Sequence, residues 1–564
     1  MSSTSRFPQP SNARRRDSAG ICVPSSWRER LIVIAGFTML TAVMTYPQIF
    51  VMSTHLGPHY DTLFSVWRLA WIAHQLTTDP LHLLDANIFY PTARTLTYSD
   101  ALLLPALTGA PLIWLGLSPV TVHNVLLLFS FVACGAGMYF LVRWLTNSIP
   151  AAWIAGAIFA FQPYRFGHYP QLELLWAWPM PLAFLAFHKL HDRRRTQDAV
   201  WLGVLVAMQI WSCVYYGIFL VTALVILSLV TVPGRPGVGI IGLVKSALIA
   251  ALVAGVLIAP YAWAYSDTWR VVGARQEDEV RQWSPTIVNY IATPAGSLLY
   301  GRITARYGHL EGIMFPGLIA IALGLVALWP PLDRRRLAYA ALLLIAVDLS
   351  FGFNGLSYPF LYRTVWIYRA LRVPARLWTV ASAALAVLAG DGVARLLSRI
   401  RDDRRAAVFA LSVFGLVVSE SLCTPLTLTA IAPKAPMVYN WLHRQRRGTV
   451  LEWPVPKASN LGDTHDPLYM YYSTFHWQPM INGYSGFFPQ SYLLLLDTMR
   501  AFPARSVLNT LRQRRVKYVL LHSAFDPGYT VAVEALRAAP EFELMFIVRE
   551  HPGELALFRV REGF

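Results

Sequence analysis

A single acidic residue, Asp61, follows soon after the first long apolar run, in the stretch GPHYDTLFSVWRLAWIAHQL. A carboxylate can accept a proton from a hydroxyl as a general base, and this one would lie near the face of a membrane that the run crosses. The spacing of Phe64, Trp67, Trp71 and His74 places four rings on one side of a helix. Since tryptophan suits the headgroup level, we expect this helix to lie flat on the membrane and hold Asp61 at a fixed depth. A solvated loop acid is the plainer alternative.

Several basic residues in the predicted outer loops have no obvious acidic partner. Arg165 and His168 lie between two apolar runs in FQPYRFGHYP, and Arg372 and Arg376 precede another run in LRVPARLW. A guanidinium binds phosphate through paired hydrogen bonds, and helix N-termini favour anions. We therefore predict that these four residues bind a lipid-linked phosphate. Ordinary contact with lipid headgroups is the alternative.

A second aromatic stretch, MYYSTFHWQPMINGYSGFFPQSY, covers residues 470–492. Aromatic faces suit sugar rings by stacking, and amide, imidazole and hydroxyl groups supply hydrogen bonds. We therefore predict that Tyr472, His476, Asn482 and Tyr484 bind an acceptor or a sugar. Packing of this loop onto the membrane surface is the alternative, and both hold if the loop covers a cavity.

The composition indicates what kind of body must position these residues. Of 564 residues, 55% are apolar and only 14% are charged, and the mean hydropathy is +0.44. A soluble domain of this length needs more charge to cover its surface. Long apolar runs recur from Leu31 to Pro425, which predicts a polytopic α-helical membrane protein. The formal charge of +17 fits basic cytoplasmic loops better than nucleic-acid binding.

Basic clusters set the predicted orientation, because lysine and arginine accumulate in cytoplasmic loops. This rule places the N-terminus inside and gives about eleven transmembrane helices. Their predicted bounds are 31–51, 120–144, 151–164, 171–188, 199–213, 214–232, 240–262, 312–329, 337–352, 376–397 and 406–425. The apolar stretch 100–119 carries three prolines and two glycines, so we interpret it as a re-entrant or interfacial helix pair within a first outer loop, 52–119.

The pattern changes beyond residue 430. The strand-like runs GTVLEWPV, VKYVLLHS, ELMFIVRE and LALFRV alternate with polar and helical segments. We predict three parts: a basic cytoplasmic tail over 1–30, a transmembrane domain over 31–430, and an extracytoplasmic α/β domain over 431–564. The four cysteines form no CxxC pair, so no metal or redox site is indicated.

This arrangement resembles the membrane glycosyltransferases of GT-C fold, which include protein mannosyltransferases, the aminoarabinose transferase of lipid A and rhizobial galacturonosyltransferases. Asp61 matches the acid of their first outer loop, residues 62–76 and 100–119 resemble their interfacial helices, and residues 432–564 resemble their appended domain. The stretches NIFYPTARTLTYSD, LRVPARLWTVASAALAVLAGDG and STFHWQPMINGYSGFFPQSY also look like those of uncharacterised bacterial members. Many relatives have a paired acid, whereas Tyr60 and Thr62 flank Asp61 here.

The resemblance implies an inverting glycosyltransferase of hexosyltransferase type in the bacterial inner membrane. It would take a sugar from a polyprenyl-phosphate donor and pass it to a hydroxyl of a lipid, glycan or protein at the outer face. Asp61 would deprotonate the acceptor, and arginine would stabilise the leaving phosphate. No soluble cofactor or nucleic-acid partner is implied, and the unpaired acid gives a divalent metal no support.

Two other classes of function stay open. A transporter or flippase of lipid-linked glycans would share the polytopic body but would need charges deep within several helices. A non-catalytic membrane assembly protein would act through its C-terminal domain, and Asp61 would be dispensable.

Overall fold

The computed structural model describes residues 26–232, 240–309, 311–432, 434–462, 464–550 and 553–561. Most of the predicted basic tail, with Cys22, lies outside these residues.

The α-helices, in chain order, are α1 (Trp27–Met44), α2 (Tyr60–Thr78), α3 (Leu103–Trp114), α4 (Pro119–Thr146), α5 (Ile149–Phe161), α6 (Pro163–Gly167), α7 (Leu172–Leu175), α8 (Pro179–Arg193), α9 (Thr196–Ser212), α10 (Val214–Thr231), α11 (Ile240–Val272), α12 (Glu277–Gln282), α13 (Gly301–Thr304), α14 (Leu318–Ala327), α15 (Arg334–Ser350), α16 (Tyr358–Thr364), α17 (Trp378–Leu397), α18 (Asp403–Glu420), α19 (Met437–His443), α20 (Asp466–Ser473), α21 (Gln490–Met499), α22 (Arg505–Gln513) and α23 (Tyr529–Ala538). The strands are β1 (His55–Leu56), β2 (Thr429–Ala430), β3 (Thr449–Trp453), β4 (Val516–His522), β5 (Phe542–Glu550) and β6 (Gly553–Val560).

The apolar runs fold into a helical body of the kind found in membrane proteins. Within the described residues, the helices long and apolar enough to cross a membrane are Pro119–Thr146, Val214–Thr231, Ile241–Val272 and Pro374–Leu397. The other predicted spans overlap helices of 10 to 18 residues, which rise only about 15–27 Å. A helical membrane fold is therefore confirmed, whereas the number of spans stays a prediction.

Two predicted elements fold differently. Residues 100–119 contain one helix, α3, of 12 residues, and not a helix pair. At about 18 Å this helix is shorter than a bilayer core. It lies against α4 at Gly109, where a Cβ would approach Val122 to 2.7 Å. The predicted span 171–188 is not one helix: the short helix α7 (Leu172–Leu175) comes first, and the longer helix α8 begins at Pro179.

Helix α2 lies inside the protein and not on a membrane surface. Its Trp67 and Trp71 side chains are 0% and 5% exposed, and the helix packs among α3, α4 and α20. The Trp67 indole donates to Asn87 Oδ1 at 3.3 Å, and the Trp71 indole donates to the Leu83 carbonyl at 2.9 Å. The predicted position of these rings at the lipid headgroups is therefore wrong. The spacing put them on one face, but the first outer loop and the C-terminal domain cover that face.

The four strand-like runs of the tail form one sheet, in the order β3-β4-β6-β5. Strands β3 and β4 are parallel, and the other pairs are antiparallel. Helices α22 and α23 pack against the sheet. Because β3 and β4 run in the same direction, with Thr449 opposite Val516, the segments that precede them lie side by side at the end of the sheet where these strands begin.

The C-terminal domain docks on the first outer loop through the backbone. The Phe89 N–H donates to the Asn482 carbonyl at 3.1 Å, and the Met480 N–H donates to the Asn87 carbonyl at 2.7 Å. On its other side the same segment hydrogen-bonds with β3. Gly483 permits this close approach, since a Cβ there would lie 2.7 Å from the Phe89 ring. The first outer loop and the domain are therefore held in a fixed relation.

Candidate active site

Asp61 lies in the first turn of α2. His59 precedes the helix, and its Nδ1 accepts a hydrogen bond from the Asp61 N–H at 3.1 Å. The unpaired N–H groups and the dipole at a helix start favour a carboxylate there. The Asp61 side chain is only 15% exposed. The residue is therefore partly enclosed by the protein and is unlike a freely solvated loop acid.

Neutral donors hold both oxygens of the Asp61 carboxylate. Gln171 Nε2 donates to Oδ2 at 3.0 Å, and the Tyr484 hydroxyl donates to Oδ1 at 2.9 Å. His59 Nδ1 lies 3.4 Å from Oδ2, but this nitrogen accepts from the backbone and so carries a lone pair. In the part of the chain that the structure describes, no arginine or lysine forms an ion pair with Asp61. The carboxylate is oriented without being neutralised.

The Tyr484 phenol is influenced by Asp61 and by Arg372, a residue predicted to bind phosphate. Burial and the Asp61 carboxylate raise the pKa of the Tyr484 phenol, and the Arg372 guanidinium opposes them. Both charges therefore lie within electrostatic reach of the phenol, which stays protonated and donates its hydrogen bond. Of the predicted site residues, Tyr484 is the one that contacts Asp61 in the described part of the chain, and the charge of Arg372 acts on its phenol.

Arg372 has capacity for another ligand. Its side chain is 32% exposed, and its Nη1 lies 3.9 Å from Glu279 Oε1, which is too long for a hydrogen bond. Its guanidinium lies 5.3 Å from the centre of the Trp283 ring. Its backbone is fixed separately, because the N–H donates to the Tyr215 hydroxyl at 2.9 Å. A fixed backbone and a guanidinium with few contacts suit phosphate binding.

Arg275, which the sequence analysis missed, lies close enough to Arg372 for the two charges to interact. Its Nη1 donates to Glu279 at 2.9 Å, and its Nη2 donates to the Gly486 carbonyl at 2.6 Å. Its guanidinium also lies 3.3 Å from the centre of the Phe487 ring. The available signal was the i,i+4 spacing of Arg275 and Glu279, which equally fits a plain surface pair.

His168 and Arg376 meet at a buried carboxylate, Glu311. Arg376 donates from Nη2 and Nε to the two Glu311 oxygens at 2.5 and 3.2 Å, and His168 Nε2 lies 3.1 Å from Oε2. Burial acts to raise the pKa of Glu311, but Arg376 and His168 outweigh it and lower that pKa far below its usual range. These partners already occupy each other, so a phosphate-binding role for Arg376 and His168 stays a prediction.

Arg165 lies apart from both groups. It is 2% exposed, its Nη2 donates to Ser130 Oγ at 3.4 Å, and its guanidinium lies 4.7 Å from the centre of the Phe131 ring. Its Nε and Nη1 have no hydrogen-bond partner among the described residues. No contact in that part of the chain joins it to Asp61, and its phosphate-binding role also stays a prediction.

Tyr472 and His476 lie in the interior of the C-terminal domain. Both stack on Tyr439, with ring centres 4.8 and 5.9 Å away. Burial lowers the pKa of His476 to about 3, so the imidazole is neutral near pH 7. These positions show packing within the domain, and a contact of Tyr472 and His476 with a sugar stays a prediction.

Asn482 is fully buried and its amide is engaged internally. Its oxygen accepts from the Glu452 N–H at 2.7 Å, and its Nδ2 donates to the Glu452 carbonyl at 2.9 Å and to Asp466 Oδ1 at 3.0 Å. These bonds fix the backbone two residues before Tyr484. A sugar-binding role for Asn482 stays a prediction.

Arg68, a second residue that the sequence analysis passed over, orders the segment that carries Gln171. Ser65 and Arg68 follow Asp61 at i+4 and i+7 on α2, so they continue the same face. Arg68 Nη2 donates to Ser65 Oγ at 2.9 Å and to Glu173 Oε2 at 3.0 Å. Because Glu173 is two residues after Gln171, this buried ion pair holds the Gln171 amide against Asp61.

The donor set around Asp61 does not fit a divalent cation site. Among the described residues, no three His, Cys, Asp or Glu side chains gather as ligands would. Glu173 is neutralised by Arg68 at 3.0 Å. Both Asp61 oxygens accept hydrogen bonds, from Gln171 and Tyr484.

Comparison with known proteins finds likeness in structure. No protein-family model matches the chain, and no curated protein matches its sequence. The arabinofuranosyltransferase AftD from Mycobacteria superposes with a TM-score of 0.63 at 14% identity, over 95% of this chain and 40% of that one. The Archaeoglobus fulgidus oligosaccharyltransferase superposes with a TM-score of 0.52 at 13% identity, over 88% of this chain and 70% of that one. ArnT from Cupriavidus metallidurans, bound to undecaprenyl phosphate, superposes with a TM-score of 0.49 at 12% identity, over 95% of this chain and 99% of that one.

The first two superpositions confirm the expected fold, which is that of the GT-C membrane glycosyltransferases. The chain spans less than half the length of the AftD that it matches. At these identities the likeness establishes the fold alone.

Proposed function

We propose that the protein is an inverting glycosyltransferase that moves a sugar from a polyprenyl-phosphate donor to a hydroxyl acceptor at the outer face of the membrane. The observation that carries the proposal is the Asp61 carboxylate, held by Gln171 and Tyr484 at 3.0 and 2.9 Å and without a cationic partner among the described residues. A general base needs both properties, a fixed direction and freedom to take a proton. The GT-C fold supports the same class of reaction.

The proposed reaction is a single displacement. The acceptor hydroxyl gives its proton to Asp61, and its oxygen attacks the anomeric carbon of the donor sugar. The bond from that carbon to the lipid-phosphate oxygen breaks, and its electron pair leaves with the phosphate, so the configuration inverts. Asp61 contributes about 10²–10⁴-fold as the base.

Arg372 is the residue that we propose for the leaving phosphate. Its guanidinium is 32% exposed, and its charge acts on the Tyr484 phenol, which donates to Asp61. Fixed positive charge at a developing phosphate stabilises the transition state. Arg275 adds a second charge beside it. Tyr484 and Gln171 are positioning residues for the base.

The proposed topology follows from the same contacts. Asp61 and Tyr484 touch, so the first outer loop and the C-terminal domain share one side of the membrane. The arginine clusters at 193–195, 334–336 and 399–405 occupy other connections and fit the cytoplasmic side. We therefore propose a bacterial inner-membrane protein with about eleven spans, a cytoplasmic N-terminus and an extracytoplasmic C-terminal domain.

The test is donor turnover by purified protein in lipid, with a panel of polyprenyl-phosphate sugars and lipid, glycan and peptide acceptors. We expect wild type to consume one donor and Asp61→Asn to lose about 10²–10⁴-fold of that rate while staying folded. Asp79→Asn is the matched control, because Asp79 lies in the same outer loop with its side chain 51% exposed and, among the described residues, forms its ion pair with a local histidine, His82.

Three outcomes would decide against the proposal or part of it. Equal turnover by wild type and Asp61→Asn would remove Asp61 from the mechanism. Equal loss in Asp79→Asn would show a general effect of charge in the loop. Absence of turnover with every donor, in folded wild-type protein, would contradict the enzymatic function and favour transport or assembly.

A further inference from the structure

Two similar basic segments precede the first two strands of the C-terminal sheet. HRQRRG ends at residue 448, immediately before β3, and RQRRVK covers residues 512–517 at the start of β4. Since β3 and β4 are parallel neighbours, with Thr449 opposite Val516, both segments lie at the same end of the sheet, where these two strands begin. The parallel pairing therefore converts two separate charge runs into one basic surface.

This surface forms one wall of a cavity of about 610 Å³, which we call the basic cleft. Arg447, Arg515 and Lys517 line it from the C-terminal domain. Trp71 and Tyr90 also line it, from α2 and the first outer loop. A cavity of this size falls within the range of small-ligand sites, roughly 300–1,000 Å³. A concave wall with aromatic residues is suited to a bound molecule and less suited to a flat membrane surface.

The charge of the basic cleft is not balanced from within. No ion pair in the described part of the chain involves Arg447, Arg515 or Lys517. The one carboxylate in the lining, Asp85, accepts a hydrogen bond from the Arg94 N–H at 2.8 Å. Three cationic side chains thus face one acid, and an anion entering the cleft would meet a net positive field.

Arg515 is kept in a backbone conformation that suits glycine better. It follows the last residues of α22 with φ of +55°, and its N–H donates to the Arg512 carbonyl at 2.8 Å. This is the left-handed position that ends many helices, where a side chain is strained and glycine is preferred. The chain therefore carries a guanidinium in the cleft at a position where glycine would be easier to accommodate.

We propose that the basic cleft binds an acidic glycan, a sugar chain bearing carboxylate or phosphate groups, as the extended part of the acceptor. This inference rests on the proposed function, because it names the acceptor class for the same site. Trp71 and Asp61 are ten residues apart on one helix, so the cleft lies about 15 Å along α2 from the base. The rings of Trp71, Trp67, Phe64 and Tyr484 follow one another at 6.5, 5.9 and 5.5 Å and make that link rigid.

The experiment measures binding directly by calorimetry, with the full chain in nanodiscs of neutral lipid. The probes are oligogalacturonate for carboxylates, a poly(glycerol phosphate) for phosphates, and a neutral galactose oligomer of matched length. We expect one acidic probe to bind and the neutral one not to, with affinity falling as salt is raised. Arg515→Gly should weaken binding about tenfold, because it removes a charge-assisted contact, and should leave the melting temperature unchanged or higher.

The matched control is Arg549→Ala, an exposed arginine on β5 at the sheet edge opposite β3. Its affinity for the acidic probe should equal that of wild type. Equal binding of acidic and neutral oligomers, equal loss in Arg549→Ala, or full affinity in Arg515→Gly would each overturn the proposal. Binding to vesicles of anionic lipid with none to either acidic oligomer would assign the surface to the membrane and overturn it as well.

Binding and turnover fail separately. An acidic glycan that binds a protein without transferase activity would leave the basic cleft supported and the proposed function contradicted. Turnover of a donor by a protein that binds no acidic oligomer would leave the function supported and this inference overturned.

Discussion

Asp61, in the first turn of α2, and Glu311, in the connection before α14, are both enclosed carboxylates, but their partners differ in charge. Gln171 and Tyr484 hold Asp61 with neutral donors, whereas Arg376 and His168 hold Glu311, with a two-bond contact from the guanidinium. The first arrangement orients a carboxylate and leaves its charge available. In the second arrangement the carboxylate charge is neutralised by its own cationic partners. A carboxylate of the first kind can serve as a base, and one of the second kind serves to hold loops together.

The two arginines of LRVPARLW show the same contrast. Arg376 is 9% exposed and engaged by Glu311, while Arg372, four residues earlier, is 32% exposed and meets Glu279 only at 3.9 Å. Two arginines of one motif therefore differ in their surroundings: Arg376 is paired with a buried carboxylate, and Arg372 has room for a ligand.

The largest effect that would sharpen this comparison is on stability. Glu311→Gln leaves the Arg376 guanidinium buried without a counter-charge, so we expect a loss of about 3–5 kcal/mol. Thermal unfolding of the purified protein in detergent measures it. Asp61→Asn is the comparison variant and should melt near wild type, since within the described residues it breaks no ion pair with arginine or lysine. Equal melting temperatures for the two variants would contradict the distinction between these carboxylates.

An intermediate effect is expected on donor use. Arg372→Gln should lower kcat/KM for the lipid-phosphate donor about 10–100-fold, which corresponds to a charged hydrogen bond of about 1.5–3 kcal/mol. Its melting temperature should not change, because the Arg372 side chain makes only loose contacts. Arg376→Gln should show the opposite pattern, with lowered stability. If Arg376→Gln lost donor use while remaining as stable as wild type, the assignment of the two arginines would be reversed.

The smallest effect concerns pH. The pKa of Glu311 is lowered in the folded protein from its usual value near 4.5. Below that pH the unfolded chain takes up a proton that the folded chain does not, so stability is lost as pH falls, by at most about 1.4 kcal/mol per pH unit. The melting temperature of wild type should therefore fall more steeply between pH 5 and 3 than that of Glu311→Gln, as measured by thermal scans at each pH. Parallel curves would show that Glu311 does not carry this ionic role.

Local patterns predicted much of the fold. The strand-like runs of the tail matched β3 to β6 because each is a short apolar segment bounded by turns. The apolar runs matched helices for a similar reason, although their ends moved where short turns intervene, as before Pro179. The position of Asp61 at a helix start was also visible, since the acid is followed by rings at helical spacing.

Partners distant in sequence could not be predicted in this way. Tyr484 meets Asp61 across 423 positions, and Glu311 meets Arg376 across 65. No local pattern distinguishes a glutamate that will find an arginine from one that will not. The aromatic stripe of α2 shows the same limit: its spacing fixed a common face, but a ring suits lipid headgroups and a protein interior alike.

The sequence by itself determined a helical membrane body, a C-terminal sheet domain, and an isolated acid at the start of a ring-bearing helix, because periodicity and composition act over a few residues. Only the tertiary structure decided which charges are free. It placed Gln171 and Tyr484 on Asp61, left Arg372 loosely held, and closed Arg376 and His168 onto Glu311. The physical reason is that the state of a buried charge depends on what surrounds it in space, and folding brings those surroundings from distant parts of the chain.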